Sequence, residues 1–188
     1  RVRENDTVID PFCGSGTLLI EAGLKALNIA PGLNRSFAAE RLGFIPDKTW
    51  RTAREEAVNA IKRDAEFRAC GYDNDGECVS LTLSNAKKAS PLMKISAEKR
   101  DIRDFVKPEG AFKMITNPPY GERLMEKREA EALYTAFGAA YAKTEHWRLY
   151  LLSSHTEFER AFGRPADKKR KLYNGTLRCD LFQYTKDV

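Results

Sequence analysis

Asn117-Pro118-Pro119-Tyr120 follows the apolar run Phe112-Lys113-Met114-Ile115-Thr116, where a loop would leave the end of a strand. An exocyclic amine on a purine is a weak nucleophile, because its lone pair is delocalised into the ring. Activating it takes acceptors for its N–H groups and a surface on which the base can lie. The Asn117 side-chain oxygen and the Pro118 carbonyl can accept. Prolines fix φ and carry no N–H, so the carbonyls of this loop can be aimed with little reorganisation. Tyr120 offers a stacking face, typically worth ~1–3 kcal/mol per base. Arg123, in Gly121-Glu122-Arg123, is placed to reach a phosphate or base edge, or to make a surface ion pair. Proline beside asparagine is also ordinary turn chemistry.

A second cluster, Asp10-Pro11-Phe12-Cys13-Gly14-Ser15-Gly16-Thr17, follows the apolar stretch Thr7-Val8-Ile9. The pattern is strand, glycine turn, helix, and ligands of open α/β sheets bind at such strand ends. A phosphate-binding P-loop would need Lys where Thr17 stands, and a dinucleotide fingerprint would need a third glycine at Leu19. A turn without any ligand is the remaining alternative. Asp10 would repel a diphosphate and attract an ammonium group, which favours S-adenosylmethionine, an amino acid with a sulfonium and no phosphate. Asp73, closing Gly71-Tyr72-Asp73, can accept from ribose hydroxyls. Asp101, in Lys99-Arg100-Asp101-Ile102, can accept from an adenine amino group, with Ile102 packed on the ring.

These loops need strands to present them. Apolar runs predict strands over Thr7–Asp10, Ala69–Asp73, Lys94–Glu98, Phe112–Thr116 and Trp147–Ser153. Helical spacing of apolar residues predicts helices over Gly16–Leu27, Thr52–Phe67, Asp75–Lys88, Lys127–Lys143 and His155–Phe162. That alternation is the mark of a parallel α/β sheet. Asn28–Trp50, with Pro31-Gly32, Asn34 and Pro46, reads as a mostly irregular insertion. Lys168–Tyr184 reads as a hairpin around Asn174-Gly175. Its cationic run Lys168-Lys169-Arg170-Lys171 fits edge protection or a grip on RNA.

With 188 residues, 42% of them apolar, one soluble domain is expected. The net charge of +5 is a mild nucleic-acid signal. No apolar run is long enough to span a membrane, and no secretory signal opens the chain. Cys13, Cys70, Cys78 and Cys179 lack CxxC spacing, and neither His146 nor His155 stands at ligand spacing from them. No metal site is therefore expected, and a reduced, cytoplasmic protein is. The chain opens on Arg1 rather than methionine, so it is expected to be part of a longer protein.

Together, Asp10–Thr17 and Asn117–Arg123 resemble the class I S-adenosylmethionine-dependent methyltransferases. More narrowly, the chain is similar to the THUMP-associated bacterial RNA guanine-N2 methyltransferases. The likeness extends to Ala30-Pro31-Gly32-Leu33-Asn34-Arg35 and Lys171-Leu172-Tyr173-Asn174-Gly175. The Asn-Pro-Pro-Tyr loop by itself is shared with DNA adenine and protein glutamine methyltransferases.

The resemblance implies a Rossmann-like, seven-stranded, mostly parallel sheet ordered 3-2-1-4-5-7-6, with strand 7 antiparallel and helices on both faces. Residues 1–188 would be the methyltransferase domain, without the family's amino-terminal THUMP region. The resemblance assigns Asp10, Phe12, Gly14, Gly16, Thr17, Asp73, Asn74, Asp101, Ile102 and Asn117 to cofactor binding. Asn117, Pro118 and Tyr120 would be catalytic, with Pro119, Tyr120 and Arg123 against the substrate. The implied partner is RNA, in the first place 23S ribosomal RNA. A DNA adenine-N6 enzyme, a tRNA guanine-N2 enzyme and an inactive RNA-binding module are the rivals.

Overall fold

The computed structural model describes residues 2–106, 108, 110–120, 124–143 and 147–185, leaving aside the side chains of 124–126. Seven strands form one sheet: β1 (Thr7–Asp10), β2 (Arg68–Asp73), β3 (Lys94–Lys99), β4 (Lys113–Thr116), β5 (Arg148–Ser153), β6 (Lys168–Asn174) and β7 (Leu177–Tyr184). Their order is β3-β2-β1-β4-β5-β7-β6. The first five are parallel, and β7 runs antiparallel to both β5 and β6.

Alternation along the strands sets two apolar layers on opposite faces. Val8 joins Leu19, Phe67 and Ala69 in one layer, beneath α1 (Thr17–Ala26), and α3 (Gly76–Ala89) packs along β2 and β3. Ile9 joins Met114, Leu149, Leu151 and Phe182 in the other, covered by α4 (Leu124–Tyr141) and α5 (Phe158–Phe162). Both Val8 and Ile9 are fully buried, as central parallel strands require. The α4–α5 crossing is close enough that a Cβ at Gly138 would lie 1.9 Å from the Phe162 carbonyl oxygen. On the opposite face of β4, β5 and β7, Ile115, Tyr150, Leu152 and Leu181 are only half-buried.

The insertion is mostly irregular up to Pro46, as expected. It is ordered around Arg54, whose guanidinium donates to the Leu33 and Arg35 carbonyls and pairs with Glu40 at 2.6 Å. A short 3-10 helix spans Ala38–Leu42, and Phe37 stacks on Trp50. Helix α2 runs Asp47–Asn59, not 52–67, starting directly after Pro46. Proline suits a helix start, whereas Ile61 and Ala65 leave the helical track to pack on the β1 layer. The other boundaries move by a few residues: Gly16 caps α1 from outside, and α5 begins at Phe158 after a turn at His155. Among the described residues no helix is long and apolar enough to cross a membrane.

Candidate active site

The carboxyl ends of β1, β2, β3 and β4 converge on a cleft of about 400 Å³, in the usual range for small-ligand sites. One wall carries Phe12, Gly14, Asp73, Asn74, Asp101 and Ile102; the other carries Asn117, Pro118, Pro119 and Tyr120. Sequence positions about a hundred apart thus share one cavity. Two lining residues were not foreseen, Arg100 and Leu133. The signal for Arg100 is its place between β3 and Asp101; Leu133 sits one residue before the buried Tyr134 of α4.

The loop after β1 is shaped by backbone and α3 together. Gly14 and Gly16 both take left-handed φ, +52° and +79°, which only glycine adopts freely. The Thr82 hydroxyl donates to the Gly14 carbonyl at 2.9 Å, and the Asn85 amide to the Ser15 carbonyl at 3.0 Å. A Cβ at Gly16 would come within 2.9 Å of Thr82, so loop and helix fit only with glycine there. The Gly14 N–H donates to Asp73 Oδ2 at 3.0 Å and the Asp75 N–H to Oδ1 at 3.0 Å. A carboxylate accepts about four hydrogen bonds, so Asp73 is oriented and still has capacity for a ligand. Asp101 accepts from the Arg103 backbone and guanidinium, while Ile102 is buried beside it. The Arg100 guanidinium lies 4.6 Å from the Tyr72 ring centroid and bonds Glu98.

Asp10, Gly16 and Thr17 do not line the cleft. Asp10 lies behind it, 2% exposed, accepting from the Thr116 hydroxyl at 2.6 Å and the Phe12 N–H at 3.1 Å. Thr17 starts α1, its hydroxyl paired with that of Ser15. Burial pushes the Asp10 carboxyl up to about 7; the bonds from Thr116 and Phe12 oppose that shift and nearby Asp73 adds to it.

The target-side loop is internally braced. The Tyr120 hydroxyl donates to the Asn117 side-chain oxygen, and burial pushes that phenol up to about 12, so it stays a donor. An amide oxygen has two lone pairs, so Asn117 can accept once more. Pro118 and Pro119 have no N–H by which to anchor the loop. The anchor comes from below: Tyr134, fully buried, donates to the Pro119 carbonyl at 2.6 Å, with Ser153 Oγ 3.3 Å away. Arg123, with Gly121 and Glu122, lies outside the described residues, as does His146. Among the described residues no group of three His, Cys, Asp or Glu side chains could hold a metal ion.

The chain and its fold have close counterparts. Residues 1–183 match the family model described as RMKL-like, methyltransferase domain. The chain is 39% identical over 180 residues to "Putative RNA methyltransferase YpsC" of Bacillus subtilis, covering 96% of this chain and 47% of that protein. It is 40% identical over 185 residues to "Ribosomal RNA large subunit methyltransferase K/L" of Shewanella sp. (strain MR-4), covering 95% of this chain and 26% of that protein. The crystal structure of SMU.472, "a putative methyltransferase complexed with SAH", superposes with a TM-score of 0.89 at 38% identity, over 98% of this chain and 49% of that one. The chain therefore spans about half or less of the length of these relatives.

Asp10 provides a pH test. Its folded state holds a proton that the unfolded chain releases near 3.8. That stability is fully present below the unfolded value and is lost as pH rises to about 7. In denaturant unfolding at about pH 5 and about pH 8, the parent should lose roughly 2–3 kcal/mol more than Asp10→Asn. Identical pH dependence would show that Asp10 does not carry this proton.

Proposed function

This chain belongs to the RMKL-like methyltransferase domain family, and on that premise we propose that it methylates the exocyclic N2 of a guanine in RNA, with 23S ribosomal RNA as the substrate. S-adenosylmethionine is the methyl donor, and the related SMU.472 structure with SAH supports that choice. The observation that carries the reading is the single cleft. It sets oriented acceptors for an adenosine, Asp73 and Asp101, across from an Asn-Pro-Pro-Tyr loop suited to a planar amine.

The residues fit the cofactor. Asp73 would take the ribose hydroxyls and Asp101 the adenine amino group, with Ile102, Asn74 and Phe12 around the ring. Gly14 lets the ligand approach the backbone, and Gly16 and Thr17 fix the loop that turns into α1. Asp10 acts from behind, holding that loop to β4. When bound, the cofactor supplies an electrophilic methyl group on a sulfonium centre.

The protein's remaining work is orientation. The Asn117 oxygen and the Pro118 carbonyl accept the N–H bonds of the target amine, and Tyr120 and Pro119 hold the base plane. Neither oxygen is a strong base, so the proton displaced from nitrogen passes to water. Catalysis by placement alone can contribute several kcal/mol. The target guanine is flipped out of its helix to reach the loop, as enzymes acting on base atoms commonly require. We assign coarse selection of the RNA to the THUMP-type region that accompanies such domains.

Incubation with S-adenosylmethionine and ribosomal RNA, then nucleoside digestion and mass spectrometry, should yield N2-methylguanosine. N6-methyladenosine from DNA would replace this reading. Asn117→Ala should lower kcat by roughly 10²-fold, as for loss of one preorganised polar group, with S-adenosylhomocysteine affinity unchanged. Tyr134→Phe removes only the hydroxyl under Pro119; kcat should fall about tenfold, the loss of roughly one hydrogen bond, again at constant affinity. Asp73→Ala should instead weaken S-adenosylhomocysteine binding by calorimetry; equal affinity would remove it from the site.

A further inference from the structure

The β6–β7 hairpin reaches well past the sheet at the edge that carries Asn117. Thr116 is level with Leu151, Leu151 with Phe182, and Phe182 with Lys169. From Lys169 the hairpin continues five residues to Asn174, roughly 17 Å at the rise of a strand. The tip therefore projects at the end of the sheet where the cleft opens.

Two features of this projection are not explained by folding. Lys168, Lys169, Arg170, Lys171 and Arg178 stand on the hairpin against one carboxylate, Asp180, and the last three of these cations lie on the part that projects. Lys169 is held by Glu159 at 2.6 Å; Lys168, Arg170, Lys171 and Arg178 are exposed. Lysines on an edge strand discourage pairing with other chains, but an aromatic ring does not serve that end. Tyr173 is 67% exposed and lies opposite Arg178 on the same face; two residues away on that face Lys171 stands opposite Asp180. An exposed ring flanked by cations is the arrangement that binds a single-stranded nucleic acid: the ring stacks a base and the cations follow the phosphates.

We propose that the projecting hairpin is a contact surface for the RNA strand next to the target nucleotide. Tyr173 stacks a neighbouring base, and Arg178 and Lys171 take the adjoining phosphates. This rests on the RNA-methyltransferase reading above and adds to it the local grip beside the flipped base.

The test is fluorescence anisotropy with a labelled mixed-sequence single-stranded RNA 12-mer, alongside calorimetry with S-adenosylhomocysteine. Tyr173→Ala should weaken RNA binding about tenfold, and Tyr173→Phe should retain it. Arg178→Ala should weaken it several-fold and reduce the salt dependence by about 0.7 in log–log slope, one phosphate contact on a single strand. Lys168→Ala, at the far end of the hairpin, should bind as the parent does. S-adenosylhomocysteine affinity should be the same in all four. Parent-like RNA binding by Tyr173→Ala and Arg178→Ala overturns the proposal, as does an equal loss in Lys168→Ala or a parent that does not bind this RNA. A parent that binds the RNA but not S-adenosylhomocysteine supports the hairpin surface and strikes the methyltransferase reading instead.

Discussion

The hydrogen bond from the Thr116 hydroxyl to the Asp10 carboxyl joins the two halves of the site. β1 and β4 are paired only through Val8 with Lys113 and Ile9 with Met114. Beyond that short ladder, the buried 2.6 Å side-chain bond continues the connection to the point where both loops depart. Asn117 is the next residue after Thr116, and Phe12 is held by the other bond to Asp10. The spacing between the glycine loop and the Asn-Pro-Pro-Tyr loop therefore depends on one buried carboxyl group. Burial is also what raises its proton affinity, so the structural and titration behaviour of Asp10 have one cause.

Around that bond the loops are fixed largely by groups from elsewhere in the chain. Thr82 and Asn85 on α3 hold two carbonyls of the glycine turn, and Asp73 on β2 takes its amide. Tyr134 on α4 holds the proline pair by its last carbonyl. This is a general answer to a chemical difficulty. A loop that must offer open carbonyls to a ligand cannot spend all of its own hydrogen-bonding groups on itself, and prolines cannot spend N–H groups at all. The anchors must come from packed helices, whose positions are set by the two apolar layers.

The Gly14–Asp73 bond also bears on which ligand the turn suits. An anion-binding turn keeps its amides directed at the ligand, whereas this amide is committed to a carboxylate that itself faces the cleft. Negative charge at Asp73 and Asp101 suits a nucleoside offering hydroxyl and amino donors and disfavours phosphates. Arg100 is the cation on the cleft wall, whereas the exposed cluster of Arg170, Lys171 and Arg178 lies on the hairpin.

Local chemistry was legible without coordinates. Asn117–Tyr120 and Asp10–Gly16 declare themselves because prolines and glycines act on their own backbone, and the strands declare themselves through short apolar runs. The Asn174-Gly175 hairpin was equally plain, because its turn needs positive φ at Gly175. The start of α2 is harder to read because its first residues are polar and exposed, so no apolar residue marks where the helix begins. Tertiary structure alone decided that Asp10 stands behind the cleft, that Tyr134 pins Pro119, that Arg100 and Leu133 line the wall, and that the hairpin extends past the end of β4. Each of these joins residues far apart in the chain, where long-range packing sets the distance and no local preference records it.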